Sequence, residues 1–391
     1  MAIESIKDRA AIVGIGVVDF STDIGRTEWY TACQAIKLAA EDAGVDIDDI
    51  DGMVKSVDDG PDPTYTGKGL GIDNLLYHSE NHWGTSAMMN AVHAVAGGLC
   101  NYCVYYQTAH RVSGPEKCIS DFLVAREFRE DSLDMVRYDF FSPFGLIGEP
   151  GYVAMMYRRY MHETGIKPQQ LGSVPVVASE NASKNPNAIF FDKPITIDDY
   201  LQSKLIADPI RELDCAPKVD GSIAIVITTP EKARALKQKP AIITSVASGM
   251  ALEGQLYTSY TRDVITDLPE MENMAKELYR IAGIGPEDIK AAMLDDTFAP
   301  YVPMQLEALG FCSQGEGAAF IEGGDSIRVG GQLPINPDGG SIGQGRFVTT
   351  RIVEGVRQIR GTSTNQVANA DTVLVASGAG GPADGMILRK E

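Results

Sequence analysis

A helix-ending pattern recurs at a spacing of 239 residues and constrains this chain more than any other feature. Near Ala43-Gly44-Val45 a helical stretch stops, Ile50 follows the alanine by seven residues, and the short apolar run Met53-Val54 comes next. At Ala282-Gly283-Ile284 the same order returns, with Ile289 and then Ala291-Ala292-Met293-Leu294. A strand precedes each copy: Ala10 to Val18 and Ala241 to Val246 are apolar almost throughout, the pattern of a strand covered on both faces. Thr27 is placed to cap a helix running to about Ala43, and Gly44 to end it. A small-residue helix from Ser86 to Ala96 and a strand Tyr102 to Tyr106 complete the first unit. A helix from about Met271, a helix Ile352 to Ile359 and a strand Thr372 to Val375 complete the second. Strand and helix alternate in both, which implies α/β architecture with parallel pairing through crossover helices.

The chain divides accordingly. Residues 1–110 form the first part of the N-terminal half, 111–220 an inserted region of loops and helices, 221–238 the last strand of that half with a linker, and 239–391 the C-terminal half. A long excursion between two sheet halves is a common place to build a substrate pocket. The 391 residues are ample for a core without staples, and a formal charge of −19 repels a phosphate backbone, so nucleic acid is excluded as a partner. The six cysteines (33, 100, 103, 118, 215 and 312) are too scattered for a disulfide framework. No signal peptide and no membrane-spanning run is read, so the expected location is the reducing cytoplasm.

Familiar chemical motifs are missing. There is no Walker loop, no dinucleotide fingerprint, and no hydrolase nucleophile elbow is expected. The stretches Gly339 to Gly345 and Ser377 to Gly381 are tight turns, or places where backbone N–H groups approach a ligand. Cys100-x-x-Cys103 has no second pair and reads as buried cysteine. None of the five histidines has metal-ligand spacing. His93 reads as structural; His82, just ahead of a helix start, is better placed for function.

Leu294-Asp295-Asp296-Thr297 stands apart. Two adjacent carboxylates leave the carboxyl end of an apolar strand, where α/β sheets bind ligands. Side by side they are expected to raise each other's pKa, which suits general acid–base work. The alternative is a loop pair in which one aspartate caps the helix beginning near Pro300.

Together with AAIVGIGVVDFS at the N-terminus, Leu333-Pro334-Ile335-Asn336-Pro337-Asp338-Gly339-Gly340 and Gln305-Leu306-Glu307-Ala308-Leu309-Gly310, these halves resemble the thiolase superfamily. Leu213-Asp214-Cys215, Asp220-Gly221 and Arg357-Gln358-Ile359-Arg360-Gly361 resemble its lipid-transfer-protein aldolases, which cleave steroid side-chain acyl-CoA esters. The resemblance implies duplicated five-stranded mixed sheets in an αβαβα arrangement. Classical thiolases start one helix with a nucleophilic cysteine; here that segment reads His82-Trp83-Gly84-Thr85-Ser86. The His-Asp-Cys segment corresponds to Asp295-Asp296-Thr297, and the Gly-His-Pro segment to Gly345-Arg346-Phe347. In the aldolases the two histidine positions are typically tyrosines, so Asp295 and Arg346 depart from both patterns.

The resulting expectation is a retro-aldolase acting on a β-hydroxyacyl-CoA without a covalent cysteine. The alternatives are an unusual thiolase or acyltransferase on a β-ketoacyl-CoA, for example an aryl-substituted one, and a non-catalytic partner subunit. Candidate catalytic residues are Asp295, Asp296, Arg346 and His82; candidate substrate-binding residues are Trp83, Gly84, Gly340, Ser377 and Gly378. No cofactor or metal is assigned to this chain. The resemblance also implies a homodimer, and a small partner with a zinc ribbon and an OB-fold that holds the zinc and completes a heterotetramer.

Overall fold

The computed structural model describes residues 6–56, 60–81, 84–114, 142–146, 148–251, 264–379 and 381–391. Apolar strands that need cover on both faces can be satisfied only inside a stack, and this is what the chain builds. The strands are β1 (Ala10–Ser21), β2 (Gly52–Ser56), β3 (Tyr77–Asn81), β4 (Cys103–His110), β5 (Leu205–Ala207), β6 (Ile210–Arg211), β7 (Asp220–Thr228), β8 (Ala241–Gly249), β9 (Ala291–Met293), β10 (Thr372–Ser377) and β11 (Ala383–Lys390). Nine of them hydrogen-bond in the order β3-β2-β4-β7-β1-β8-β11-β10-β9, with β5 and β6 paired apart.

The two halves of that order mirror each other. β2, β4, β7 and β1 in the first correspond to β9, β10, β11 and β8 in the second, with parallel and antiparallel pairs in matching places. The duplicated mixed sheet is present. In its second copy the place of β3 is taken, among the described residues, by a single parallel bridge on β9, Ala292 to Ile335. The halves meet through β1 and β8 over three residue pairs, Ala10–Ile12 against Ala241–Ile243.

Layering follows from which side chains share a core. Helix Glu28–Ala43 packs on the outer face of the first half, and helix Pro269–Ala282 on the outer face of the second. Helices Gly84–Ala96 and Thr350–Arg360 share one apolar cluster with strands of both halves and form the middle layer. Thr27 does cap the first helix, accepting the Tyr30 N–H at 3.2 Å, and Gly44 closes it in the left-handed conformation. The helix beginning near Met271 starts at Pro269. Cys100 and Cys103 are buried free thiols. Among the described residues no group of side chains could hold a metal ion, and no helix is long and apolar enough to cross a membrane.

The middle helix Thr350–Arg360 is stapled to the first half at both ends. At its start, Thr349 Oγ1 contacts the Tyr105 hydroxyl at 2.9 Å and donates to Gln107 Oε1 at 2.7 Å. At its end, Arg360 donates to Asp42 Oδ2 and to the Val13 carbonyl, each at 2.7 Å.

Helix Glu28–Ala43 approaches β1 at backbone distance. A Cβ added to Gly14 or Gly16 would lie 2.1 Å from the carbonyl oxygen of Ala39 or Ala35. Gly14→Ala and Gly16→Ala are therefore each expected to lower stability by about 1–3 kcal/mol, as overpacked cores do. Urea unfolding with an unchanged m-value would check it.

Candidate active site

β9 delivers the acidic pair. Where its ladder ends, side chains take over from backbone: Asn336 accepts the Leu294 N–H at 2.8 Å and donates to the Leu294 carbonyl at 3.1 Å. Gln305 then does the same for Asp295, accepting its N–H at 2.9 Å and donating to its carbonyl at 2.6 Å. The main chain at the two aspartates is thus fixed before either carboxylate is considered.

Asp295 is held by four donors. Its Oδ1 accepts from the Thr297 N–H (3.1 Å), the Thr297 hydroxyl (2.8 Å) and Arg351 Nη2 (2.7 Å), and its Oδ2 from the Gly378 N–H (3.2 Å). Burial pushes this carboxyl up, but Arg351, Thr297 and Gly378 outweigh burial and hold it below the ordinary carboxylate range. Asp296 is deeper and differs. It accepts from the backbone of Ser341 (2.8 Å) and Ile342 (3.3 Å), and burial raises it to about 6 despite those bonds and Arg351. The expectation that the two carboxylates raise one another is corrected for Asp295. A guanidinium and three other donors face it, and they decide its state. The capping alternative is met in altered form: Asp296 caps helix Gly340–Gln344, not the one near Pro300. Gly340 must be glycine here, since it has φ +61° and a Cβ would lie 2.1 Å from Asp296 Oδ2.

Arg351 reaches the boundary between the halves through Ser377. Its Nη1 donates to Ser377 Oγ at 2.7 Å, and Ser377 Oγ also accepts from Thr85 Oγ1 at 2.9 Å. Thr85 lies in the first turn of helix Gly84–Ala96, the position from which classical thiolases present their cysteine. Thr85, Ser377, Arg351, Asp295 and the Gly378 turn therefore form one chain of hydrogen bonds between the first and second halves. Gly84 opens that helix; His82 and Trp83 lie outside the described residues.

Arg346 is bound separately. Its guanidinium pairs with both Glu149 oxygens, at 2.5 and 2.8 Å, and is about a quarter exposed. One segment connects it to the acidic loop: Pro217 accepts the Arg346 N–H at 2.9 Å, while the Ala216 N–H donates to the Thr297 carbonyl at 2.9 Å. Between them lies Cys215, whose thiol burial pushes up to about 12 and which donates to the Arg211 carbonyl at 3.4 Å. It is a protonated thiol at neutral pH.

Sequence reasoning missed Arg351, Thr85, Gln305, Asn336 and Glu149. It also overlooked that Gly339-Gly340-Ser341-Ile342-Gly343 has the G-x-S-x-G spacing of a nucleophile elbow. The elbow does not form, because Ser341 is fully buried at the start of a five-residue helix.

Known proteins can now be set beside this geometry. The family described as thiolase C-terminal domain-like matches residues 255–387. The 17-hydroxy-3-oxo-4-pregnene-20-carboxyl-CoA lyase of Mycobacterium tuberculosis is 39% identical over 390 residues, covering 98% of this chain and all of the relative. The steroid side-chain-cleaving aldolase of Thermomonospora curvata is 38% identical, covering 97% of each. This chain belongs to the aldolase branch of the thiolase superfamily. The solved Ltp2-ChsH2(DUF35) aldolase agrees, with a TM-score of 0.92 and 37% identity over 99% of both chains. The aldolase described here is thus a thiolase-fold carbon–carbon lyase, and the thiol-free start of helix Gly84–Ala96 agrees with that chemistry.

Behind the site of this aldolase lies a second buried acid pair. Glu354 accepts from Ser363 (2.6 Å) and Gln358 (2.7 Å), and Asp338 from Gln344 and the Gly340 N–H. Burial, then Asp338, raises Glu354 to about 8. An acid raised on folding loses stability as pH climbs, because the unfolded chain ionises first. Glu354→Gln removes that loss. The melting temperature of the variant relative to the parent should therefore increase between about pH 5 and pH 8. Thermal scans across that window would check it.

Proposed function

We propose that this aldolase cleaves the side chain of a steroid β-hydroxyacyl-CoA by a retro-aldol reaction, with Asp295 as the base. The supporting observation is the division of labour at its carboxylate. Oδ1 holds three donors, whereas Oδ2 holds one among the described residues, beside the partly exposed Gly378 turn. A lone pair on Oδ2 is left for a substrate hydroxyl.

The reaction then balances without any bond to the protein. Oδ2 takes the β-hydroxyl proton, the O–H electron pair becomes the second bond of a ketone C=O, and the Cα–Cβ bond breaks. Its electron pair moves onto the thioester as an enolate, and a proton delivered to Cα completes a shortened acyl-CoA. Gly84 and the first turn of its helix, with Ser377, Arg346 and His82, supply donors for the enolate oxygen; loss of one such donor costs about 3–4 kcal/mol. Trp83, Gly340 and Gly378 complete the substrate wall. Asp296 stands behind as the cap that holds the Gly340 turn. Among the described residues, Cys33, Cys103, Cys215 and Cys312 all have thiols raised by burial, which runs against a thiolate nucleophile at any of these four. Cys118 lies outside them.

The same reading extends to assembly. The likeness to a chain solved as an Ltp2-ChsH2(DUF35) aldolase supports a small DUF35-type partner; to it the family resemblance adds a homodimer of this chain, zinc held in the partner's own ribbon, and a cytoplasmic location. Co-expression with such a partner should give a heterotetramer by light scattering; a chain fully active and soluble as a lone homodimer would reject the requirement.

Mass spectrometry of products from a 17-hydroxy steroid side-chain CoA thioester, with and without free CoA, tests the chemistry. Cleavage to ketone and shortened acyl-CoA is expected without added CoA; dependence on CoA would mean thiolysis instead. Asp295→Asn should lower kcat by about 10²–10⁴-fold, the range of general-base contributions, with the circular dichroism spectrum unchanged.

A further inference from the structure

Arg351 is as inaccessible as the core isoleucines around it. Burying a guanidinium is costly unless its donors are matched. Nη1 and Nη2 are matched by Ser377 and Asp295, but Nε has no partner among the described residues. For stability alone, an apolar side chain of similar volume would serve as well or better. An incompletely satisfied buried cation beside the candidate base therefore points towards the reaction.

Resting on the retro-aldolase reading above, we propose that Arg351 is a positioning residue for this reaction: bridging Asp295 and Ser377, it sets the base and an oriented hydroxyl donor against the first turn of helix Gly84–Ala96 without touching substrate.

Three observations carry this. First, Arg351 starts from a fixed place, because the preceding Thr349 is bonded to Tyr105 and Gln107 of β4, and Arg360 ties the far end of the helix to Asp42 and Val13. Its guanidinium is thereby referenced to the first half while it holds groups of the second. Second, Arg351 occupies Oδ1 of Asp295 together with Thr297, which leaves Oδ2 as the accepting oxygen. The guanidinium thus selects which oxygen meets the hydroxyl. Third, Ser377 Oγ accepts from both Arg351 and Thr85. With both lone pairs engaged, its own proton must point elsewhere, which makes Ser377 a donor of defined direction. The charged groups facing Asp295 are Arg351 and Asp296. Without the guanidinium, the carboxylate of Asp296 would be the remaining charged neighbour and would push Asp295 upward.

The test compares wild type, Arg351→Lys, Arg351→Met, Asp295→Asn and the double variants on the steroid β-hydroxyacyl-CoA, with kcat and KM followed against pH. Arg351→Lys should lower kcat about 10²-fold, the scale of a 1 Å misplacement, with little change in KM. Arg351→Met, which removes the charge, should move the acid limb of the kcat profile to higher pH, and either variant should add little further loss in the Asp295→Asn background. Effects that multiply with those of Asp295→Asn, or an acid limb that stays in place in Arg351→Met, would overturn the positioning role. Should Arg351→Lys fail to fold, Ser377→Ala decides: lower kcat at an unchanged melting temperature supports the role, and unchanged kcat overturns it. A wild type that does not cleave this substrate overturns the lyase reading itself. An active wild type with additive variants overturns the positioning role alone.

Discussion

The contact on which this molecule most depends is a buried ion pair, Arg351 with Asp295, 2.7 Å apart at the junction of two similar halves. Among the described residues, strand pairing connects those halves over three residue pairs. Side chains supply the rest of the register: Tyr105 and Gln107 to Thr349, Arg360 to Asp42 and Val13, and Thr85 through Ser377 to Arg351. Each of these ties either contains a candidate site residue or holds the helix that carries one. The architecture and the chemistry are therefore set by the same few polar contacts, and neither can be altered there without the other.

In the proposed reaction, those contacts let a thiolase scaffold do without its sulfur. A nucleophilic thiolate needs a lowered pKa at a helix start. Here the corresponding turn carries Thr85, which donates to Ser377, and burial raises the thiol nearest the acidic loop, Cys215. The acidic pair is divided by its surroundings: Asp295 is an ionised acceptor under a guanidinium, while Asp296 is bound up in capping a turn. Environment separates two chemically identical groups into two tasks.

The strands and helices were legible because their signals were local. Apolar runs gave β1, β8 and β10, Thr27 and Gly44 bounded a helix, and the repeat gave the duplication. The acidic pair stood out because two carboxylates follow an apolar strand, and the capping alternative weighed for it is what Asp296 does, at helix Gly340–Gln344. Arg351 did not stand out. On helix Thr350–Arg360, Arg351, Glu354 and Gln358 form a polar stripe, which periodicity assigns to solvent. In the middle layer of five, both faces of that helix are covered, so the stripe is interior and its partners come from distant segments. The same limit applies to Gln305 and Asn336, whose side chains imitate a neighbouring strand at Leu294 and Asp295. No sequence pattern marks a side chain used as backbone. The shortening of the fifth strand of the second half to one bridge at Ile335 was equally invisible, since a family likeness reports the shared plan and not each local change.

The narrow seam between β1 and β8 has a mechanical corollary. Each half has an outer core of its own and the two share the middle-layer core, whereas the site is closed by a handful of polar side-chain contacts. Separating the halves by an ångström would disrupt catalysis while leaving every strand and helix intact. The shared apolar core tolerates small slips of one half past the other, whereas hydrogen bonds that must meet within a few tenths of an ångström do not. Activity should therefore be a finer gauge of how the halves sit together than any spectroscopic measure of their strands and helices.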